Sequence, residues 1–463
     1  AEATFDPSDI PDIARCIEHT LRSDRELERL RGVAAERTAH FTWDRVARKA
    51  VEGYERALDD PPRRNPPPRR RKRLAIFAPW PPDPISVAGY SLHLAEGLSE
   101  YAEVDVFVSG GDLDVYDNSL EPRVKVWGAV DFDWVHELRD FDRFLLMLGN
   151  SPVYLHSFRA LMERPGVVVA HDIRFGQVYR GLEGEMAIGD HMWLPEKLFE
   201  MYGERIPLGD LRKAPHDREI EARFGVLMSQ EVQAHAEKML VHSRYAQDML
   251  RMDMEPGAEG AEIAVVHRGI PAVAVDTDGR PSEGGSTVIS HGVDERSEAV
   301  DLLLHGFAGF AAGRPGASLV LLGTLEEAAS ARLDEAAANL GIADAISTPG
   351  HLMDDEYWRA LAEADVAVQL RTSSDGEASG SVCDCLAARV PTIVSSIGWL
   401  RELPDPVVVH VPRDCPPDAL AEKIRGVSDD SMMRRTIRAA QDEYASANSY
   451  AKVAERYVEL LGL

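Results

Sequence analysis

The stretch ADVAVQLRTSSDGEASGSVCDCLAARVPTIVSSIG, residues 364–398, is the most informative part of the chain for its architecture. It begins with a short apolar run, passes through a loop of small and polar residues, continues as a helical pattern and ends in a second apolar run. Val382, Cys385 and Leu386 have the spacing of one inward helix face. A strand, loop, helix and strand in this order predict one unit of a parallel sheet.

This stretch belongs to the second of two series of strand-like runs. The first series is LAIFAPW, EVDVFVSGG, FLLMLGN, VVVAHD and MLVHS, and the second is STVISHG, SLVLLGT, ADVAVQLR, PTIVSS and VVVHV. Helix-like segments separate the runs, and most runs end in polar or small residues, as strands do at the ligand-binding edge of a doubly wound sheet. We therefore predict an α/β protein with two Rossmann-like domains. The first strand is not followed by G-x-G-x-x-G, which argues against a simple NAD domain.

The predicted domains follow from these series. The first covers residues 74–255 and the second residues 256–440, and a C-terminal helix at 441–463 returns to the first domain. Residues 1–60 are predicted to be helical and to pack onto the body, because Ile13, Ile17, Leu21 and Trp43 would otherwise expose an apolar stripe. Residues 61–73, PPRRNPPPRRRKR, contain seven basic residues and five prolines. They predict an extended linker, with contact to anionic lipid headgroups as the alternative.

The two ends of the chain resemble each other. FDPSDIPDIARCIEHTLRS near the start parallels VPRDCPPDALAEKIRGVSD near the end. At the same offset, Trp43 and Val46 fall opposite Tyr450 and Val453. Two amphipathic helices can agree by chance, and this explains part of the similarity. Both segments also have Asp and Pro residues before the helical pattern, which favours an ancestral repeat. The chain is therefore predicted to be part of a tandem protein.

Composition excludes several classes of function. The 463 residues include 78 acidic and 51 basic side chains, a formal charge of −27 that disfavours nucleic-acid partners. The cysteines, Cys16, Cys383, Cys385 and Cys415, form no zinc-site pattern and indicate a reducing cytosol. The sequence has no long apolar run and no signal-peptide pattern, so we expect a cytoplasmic protein, or one peripheral at the inner face of the membrane.

Three places carry candidate site residues. In the loop at 81–98, Ser86 and Gly89 would let a ligand approach a helix N-terminus, although an ordinary turn would look the same. His171 follows a buried strand, where it can donate to a ligand oxygen and titrate near neutrality. Backbone amides near Ser379, Gly380 and Ser381 would face a diphosphate, and Glu377 can accept from sugar or ribose hydroxyls.

These residues, with LLMLGN, RPGVVVAHD, LVHSRYAQ and DCLAARVPTIVSSIGWLRELP in that order, resemble the retaining glycosyltransferases of family 4, which have the GT-B fold. The resemblance covers nearly all of residues 73–463 and looks closest to bacterial polysaccharide transferases built as tandem domains. It implies an acceptor-binding first domain, a nucleotide-binding second domain, and a nucleoside-diphosphate sugar as donor substrate with no other cofactor and no metal. The leaving phosphate would assist deprotonation of the acceptor.

The resemblance also assigns roles. His171 matches the histidine that contacts the transferred sugar, and Glu377 matches the first glutamate of the family's E-x7-E motif; both are the predicted catalytic residues. The predicted donor-binding residues are Ser86, Gly89, Gly292, Arg296, Arg371, Ser379, Gly380 and Ser381.

The chain departs from the family in three places. Cys385, with Asp384 beside it, stands where the second glutamate of E-x7-E belongs. Val293 and Glu298 stand where the family places basic residues that meet the diphosphate. Losing both cations would weaken stabilisation of the leaving group by several kcal/mol, so a substitute is needed. Arg268, Arg296 and Arg371 are the candidates.

Two classes of function remain open. The first is a retaining hexosyltransferase with a saccharide or lipid-linked acceptor, in bacterial polysaccharide synthesis. The second is a catalytically silent GT-B domain that binds glycan or partner domains within a tandem protein, which Val293 and Glu298 favour. A nucleotide-sugar epimerase would need acidic and basic partners around the sugar carbon, and the sequence does not supply them.

Overall fold

The structure is a computed structural model. It describes residues 10–40, 42–59, 70–83, 85–110, 112–185, 193–206, 223–254, 260–273, 286–291, 298–325 and 327–463. The chain divides into two compact units, Ala1–Arg70 and Arg71–Leu463.

The first unit contains three helices, α1 (Ile10–Arg22), α2 (Asp24–His40) and α3 (Trp43–Asp59). Apolar residues recur at helical spacing in α1 and α3, so each helix has one apolar face. Within the unit, the side chains of Ile17, Leu21 and Trp43 on these faces are exposed, and no described helix of the unit covers them. Their packing onto the rest of the chain stays a prediction.

The second unit contains two sheets, and every strand pairing in them is parallel. Seven strands form the first sheet in the order β3-β2-β1-β4-β5-β6-β7. Its strands are β1 (Arg73–Phe77), β2 (Glu103–Val108), β3 (Val124–Gly128), β4 (Arg143–Leu148), β5 (Val167–Ala170), β6 (Lys238–Val241) and β7 (Glu262–Val265). Its helices are α4 (Ser86–Ser99), α5 (Phe132–Arg139), α6 (Leu155–Glu163), α7 (Gly176–Glu185), α8 (Trp193–Tyr202), α9 (Gln230–His235) and α10 (Arg244–Asp253). The interior strand β5 reads Val-Val-Val-Ala and is buried along its whole length, as a strand covered on both faces must be.

The second sheet has six strands in the order β10-β9-β8-β11-β12-β13. Its strands are β8 (Thr287–His291), β9 (Ser318–Leu322), β10 (Ile346–Gly350), β11 (Val366–Gln369), β12 (Thr392–Ser395) and β13 (Val409–Val411). Its helices are α11 (Glu298–Ala311), α12 (Glu327–Asn339), α13 (Asp354–Glu363), α14 (Gly380–Ala387), α15 (Pro417–Asp429) and α16 (Ser431–Ala447). The predicted α/β class with two Rossmann-like domains is confirmed.

The last helix, α17 (Tyr450–Leu461), packs against α4 of the first domain. Ala454 fits against Gly97, where an added Cβ would lie 2.8 Å from the Ala454 methyl group. The hydroxyls of Tyr90 and Tyr457 lie 2.9 Å apart in the same interface. The chain therefore ends on the domain in which the sheets begin, which ties the two domains together.

Two predicted boundaries are wrong. The first domain does not end at residue 255, because β7 lies beyond it and pairs with β6; the short run EIAV was overlooked. The linker does not extend to residue 73, since Arg73 opens β1 and bonds to Glu103. Residues 61–69 lie outside the described residues.

In the described parts of the chain, no helix has both the length and the apolar character that crossing a membrane requires.

Candidate active site

The loop that leads into α14 is held against the first domain. The amide of Ile173 donates to the carbonyl of Asp375 at 2.8 Å, and the Arg174 guanidinium pairs with the Asp375 carboxylate at 2.7 Å. Gly376 has a φ of +84°, and a Cβ there would lie 2.6 Å from the Ile173 side chain. Only glycine fits this close approach, which brings the loop of the second domain to the end of β5 in the first.

Two helix N-termini meet at this place. Ser379 caps α14, since its side chain accepts a hydrogen bond from the amide of Val382. A Cβ added to Gly380 would lie 3.2 Å from the Cβ of Ser86, the first residue of α4. The Ser381 hydroxyl lies 2.9 Å from that of Ser379. The free amides of two helices from different domains therefore converge, and this arrangement favours an anion.

Arg268 lies between these helix ends. It is 7% exposed, donates to the carbonyl oxygen of Ser86 at 3.3 Å, and stacks 5.1 Å above the Tyr90 ring. Its guanidinium is also 3.2 Å from the Cβ position of Gly380. Among the described residues, no carboxylate forms an ion pair with it. A buried guanidinium stays charged, so this position has positive charge that is left for an anionic ligand.

Arg371 and Glu377 lie beside the same helix end but are less buried. The Arg371 guanidinium is 3.4 Å from the Ser379 hydroxyl and 3.9 Å from the Glu377 carboxylate. The second carboxylate oxygen of Glu377 accepts from the amide of Asp375 at 2.7 Å and from the Ser374 hydroxyl. Burial raises the pKa of Glu377. Glu377 thus stabilises its own loop, and its other oxygen is the one that faces Arg371.

His171 lies at the carboxyl end of β5 and is 3% exposed. Its Nδ1 lies 3.2 Å from Nε2 of His242, which follows β6, the neighbouring strand. Burial, and then the neighbouring His242 and Arg268, lower the pKa of His171 well below its ordinary value. The expected titration of His171 near neutrality is therefore wrong, because a dry site with a nearby cation disfavours imidazolium.

Asp172 lies next to His171 and faces the loop of the second domain. Its carboxylate accepts from the amide of Asn150 at 2.8 Å. Burial, together with the charges of Glu377 and Asp375, raises the pKa of Asp172 to about 7. The carboxylates of Asp172, Asp375 and Glu377 therefore lie near one another, around the positive N-termini of α4 and α14.

The residue in place of the family's second glutamate cannot contact a ligand. Cys385 is fully buried on the inward face of α14. Asp384 beside it accepts from the Tyr357 hydroxyl at 2.8 Å, and that hydroxyl lies 3.0 Å from Nδ1 of His291 at the end of β8. Burial raises the pKa of Asp384 to about 6. If a carboxylate of α14 contacts ribose, it is Asp384.

Most of the residues predicted from the sequence come together here: Ser86, His171, Arg371, Glu377, Ser379, Gly380 and Ser381, with Arg268. Gly89 lies in the first turns of α4, where a Cβ would meet no protein atom within 4 Å, so its predicted contact with the donor stays a prediction. Gly292, Val293 and Arg296 lie outside the described residues, and Glu298 is the first residue of α11.

Two contributors were not predicted, His242 and the Arg174–Asp375 pair. His242 follows the run MLV directly, just as His171 follows VVVA, and that repeated pattern was the available signal. Among the described residues, no group of three His, Cys, Asp or Glu side chains is arranged to hold a metal ion.

Residues 271–444, which include the second sheet, match the family model described as Glycosyl transferases group 1. No curated protein sequence matches the chain. Sucrose-phosphate synthase from Thermosynechococcus elongatus is similar in structure, with a TM-score of 0.58 at 16% identity over 84% of this chain and 98% of that one. Anabaena HepE, solved with UDP and glucose, has a TM-score of 0.55 at 16% identity, over 84% of this chain and 99% of that one.

WaaG, a glycosyltransferase involved in lipopolysaccharide biosynthesis, has a TM-score of 0.52 at 12% identity, over 84% of this chain and 99% of its own. The likeness to these structures shows that the fold is the GT-B fold. Together with the family match, it supports a GT-B glycosyltransferase.

Proposed function

We propose that the chain is a retaining glycosyltransferase that moves a hexose from a nucleoside-diphosphate sugar to a saccharide or lipid-linked acceptor, without a metal ion. The observation that carries this proposal is the buried guanidinium of Arg268 between the N-termini of α4 and α14. Anabaena HepE, a neighbour of the same fold, was solved with UDP and with UDP-glucose, which supports a nucleotide-sugar donor.

Arg268 would supply the charge that Val293 and Glu298 do not. A diphosphate leaving group gains negative charge as the glycosidic bond breaks, and a cation in a dry site stabilises that charge more strongly than one in water. Arg371 already has Glu377 as a partner, whereas Arg268 has no carboxylate partner among the described residues. Among the candidates that the structure describes, Arg268 is therefore the principal cation, and Arg371 is the secondary one.

The remaining residues would hold the sugar. His171 would contact a hydroxyl of the transferred hexose, and the free oxygen of Glu377 would accept from a sugar or ribose hydroxyl. The leaving phosphate, held by Arg268 and the amides of Gly380 and Ser381, would take the proton of the acceptor hydroxyl on the same face. This route gives retention, and the developing charges are met by arginine and amide groups.

Isothermal titration with UDP, GDP, ADP and dTDP tests the donor side. We expect one nucleotide to bind the wild type with at least micromolar affinity, and Arg268→Leu to weaken it by about 100-fold. Arg251→Leu, which removes a surface guanidinium on α10, is the control and should bind normally. No binding at millimolar concentration of any nucleotide would refute the proposal.

The second candidate is a silent domain that binds glycan or partner domains in a tandem protein. Val293 and Glu298, which stand where the family places basic residues, favour it. A silent domain would give no transfer and no donor hydrolysis with any nucleotide sugar. Transfer of labelled hexose from the binding donor to a saccharide acceptor decides between the two candidates.

The basic linker is the basis of one further proposal, that the chain contacts anionic lipid at a membrane surface. The six basic residues at 61–72 would bind a negatively charged membrane surface more strongly than a neutral one. Sedimentation with vesicles that contain or lack phosphatidylglycerol, at low and high salt, would detect this contact. Equal binding to both kinds of vesicle would contradict it.

A further inference from the structure

His242 is a buried histidine that the proposed reaction does not use. It is 1% exposed, and its ring lies between the backbone of the segment after β7 and the ring of His171. Its Nδ1 is 2.9 Å from the carbonyl oxygen of Val266. Because a carbonyl oxygen can only accept, Nδ1 of His242 must carry a proton.

That proton fixes the state of the second nitrogen. Burial lowers the pKa of His242 to about 4, so the ring is neutral at pH 7 and its Nε2 has a lone pair. This Nε2 lies 3.2 Å from Nδ1 of His171. Two lone pairs would repel each other at this distance, so Nδ1 of His171 must carry a proton that it donates to His242.

The proton on Nδ1 of His171 determines the state of its other ring nitrogen, Nε2. A neutral imidazole with a proton on Nδ1 has a bare Nε2, and this atom is buried without a hydrogen-bond partner among the described residues. The groups around the two rings are Tyr90, at ring distances of 4.8 Å and 5.5 Å, the Arg268 guanidinium, which disfavours protonation of either ring, and His267, which disfavours protonation of His242. A buried acceptor without a partner leaves the site incomplete until a donor arrives.

We propose that His242 is a positioning residue that holds His171 in the tautomer with a bare Nε2, so that His171 accepts a hydrogen bond from a substrate hydroxyl and does not donate one. The sequence-based expectation that His171 donates to a hydroxyl or phosphoryl oxygen is thereby reversed. This inference rests on the proposed function for the identity of the hydroxyl, a sugar hydroxyl of the donor or the hydroxyl of the acceptor. The tautomer itself does not depend on that function.

The direct test is the tautomer of His171 in the intact chain. Protein with ¹⁵N-labelled histidine is examined by long-range ¹H–¹⁵N correlation at pH 7, and the His171 signals are assigned by their loss in His171→Asn. We expect a protonated Nδ1 and a bare Nε2 in the wild type. A protonated Nε2, or a doubly protonated ring, would overturn the proposal.

Two variants of His242 separate positioning from packing. His242→Gln places a carbonyl oxygen that can accept from Nδ1 of His171, and it should preserve the tautomer. His242→Leu removes the acceptor for Nδ1 of His171, so the tautomer of His171 with a proton on Nε2 should then appear. An unchanged tautomer in His242→Leu would contradict the proposal. If this variant does not fold, the wild-type and His242→Gln spectra still decide.

Kinetics with UDP-glucose, or with the nucleotide sugar that turns over best, gives the functional readout. We expect His242→Leu to lower kcat about tenfold with little change in KM for the donor, and His242→Gln to recover most of the loss. Equal losses in both variants would refute positioning. A chain that turns over no donor but shows the expected tautomer would refute the proposed function and leave the tautomer assignment intact.

Discussion

The two domains contribute unlike surfaces to the site. On the side of the first domain, Arg268, His171 and His242 are at most 7% exposed, and none of them forms an ion pair with a carboxylate among the described residues. On the side of the second domain, the Arg371 and Glu377 side chains are 35% and 24% exposed and pair with each other. The charged groups named on the first side are therefore buried and not ion-paired, and those on the other side are partly hydrated and paired. Electrostatic interactions are stronger on the dry side, so equal substitutions should have unequal effects.

The largest expected effect is that of Arg268→Leu. We expect kcat/KM for the nucleotide-sugar donor to fall by about 100- to 1,000-fold, because the developing charge on the phosphate loses its dry cation. Arg371→Leu should cost only about tenfold, since that guanidinium is partly hydrated and already paired. Steady-state transfer, with donor hydrolysis followed in parallel, measures both. A larger loss from Arg371→Leu than from Arg268→Leu would reverse the proposed contrast.

Next in size is the loss of His171. Replacement by Leu should lower kcat about 10- to 100-fold, because a hydrogen bond that strengthens as the glycosidic bond breaks is removed. Nucleotide affinity should change little, since the contact is to the sugar. Transfer assays and titration with the nucleoside diphosphate measure the two quantities separately. His235→Leu, an exposed histidine of α9, is the control.

A smaller effect is expected on the hydrated side, at Glu377. Glu377→Ala should lower turnover about tenfold, because the loop loses its bond to the Asp375 amide and the ligand loses an acceptor. Glu377→Gln keeps an oxygen for that amide and should lose less. The assay is the same transfer reaction. Equal activity of wild type and Glu377→Ala would remove Glu377 from the site.

The last pair of effects concerns stability as a function of pH rather than turnover, and here the two kinds of group have opposite signs. The pKa of His242 is lowered to about 4, so the unfolded chain binds more protons between pH 4 and 6.5, and the stabilisation is lost as pH falls through that window. The pKa of Asp172 is raised to about 7, so the native chain binds more protons between pH 3.8 and 7, and this stabilisation is lost as pH rises.

Urea unfolding at several pH values measures these slopes. Relative to wild type, His242→Gln should gain stability as pH falls, and Asp172→Asn should gain stability as pH rises, each by at most about 1.4 kcal/mol per pH unit. The two variants serve as controls for each other. If the free energy of unfolding of both variants, relative to wild type, changed with pH in the same direction, the pKa values of His242 and Asp172 would not be shifted in opposite directions as described.

The sequence predicted much of the fold because most of the strands have a clear apolar pattern. Runs such as VVVA and ADVAVQ are short, apolar and bounded by polar or turn residues, and each was found as a buried parallel strand. VKVWG, EIAV and ISTPG, which became β3, β7 and β10, were overlooked. β3 and β7 are the two edges of the first sheet and β10 is an edge of the second, and edge strands are less apolar and give a weaker signal.

Candidate site residues were predicted for the same reason. Polar residues at the ends of parallel strands must share one edge of the sheet, so His171 and the loop at Glu377 could be named from order alone. The sequence could not rank the three candidate arginines as partners of the diphosphate. Arg268, Arg296 and Arg371 are alike in the sequence, and burial and pairing distinguish Arg268 from Arg371.

The helices α3 and α17 show where the sequence stops being informative. Both begin with an aromatic residue and continue with Val and Ala at the same spacing, so the sequence determined two amphipathic helices of one pattern. In α17, Val453 and Ala454 are buried against the first domain, whereas within its own unit Val46 of α3 is half exposed. Periodicity specifies that an apolar face exists, but not what covers it, because a partner distant in the chain is a matter of tertiary contact.

The same limit applies to the chemistry of the site. The sequence by itself determined the fold class, the order of the strands' polar ends and the presence of histidines and arginines near them. Tertiary structure alone decided that His242 meets His171, that Arg268 lies dry between two helix ends, and that Cys385 faces the core while Asp384 does not. The reason is that burial and the nearest charge set the protonation state and strength of a polar group, and both come from residues far away in the sequence.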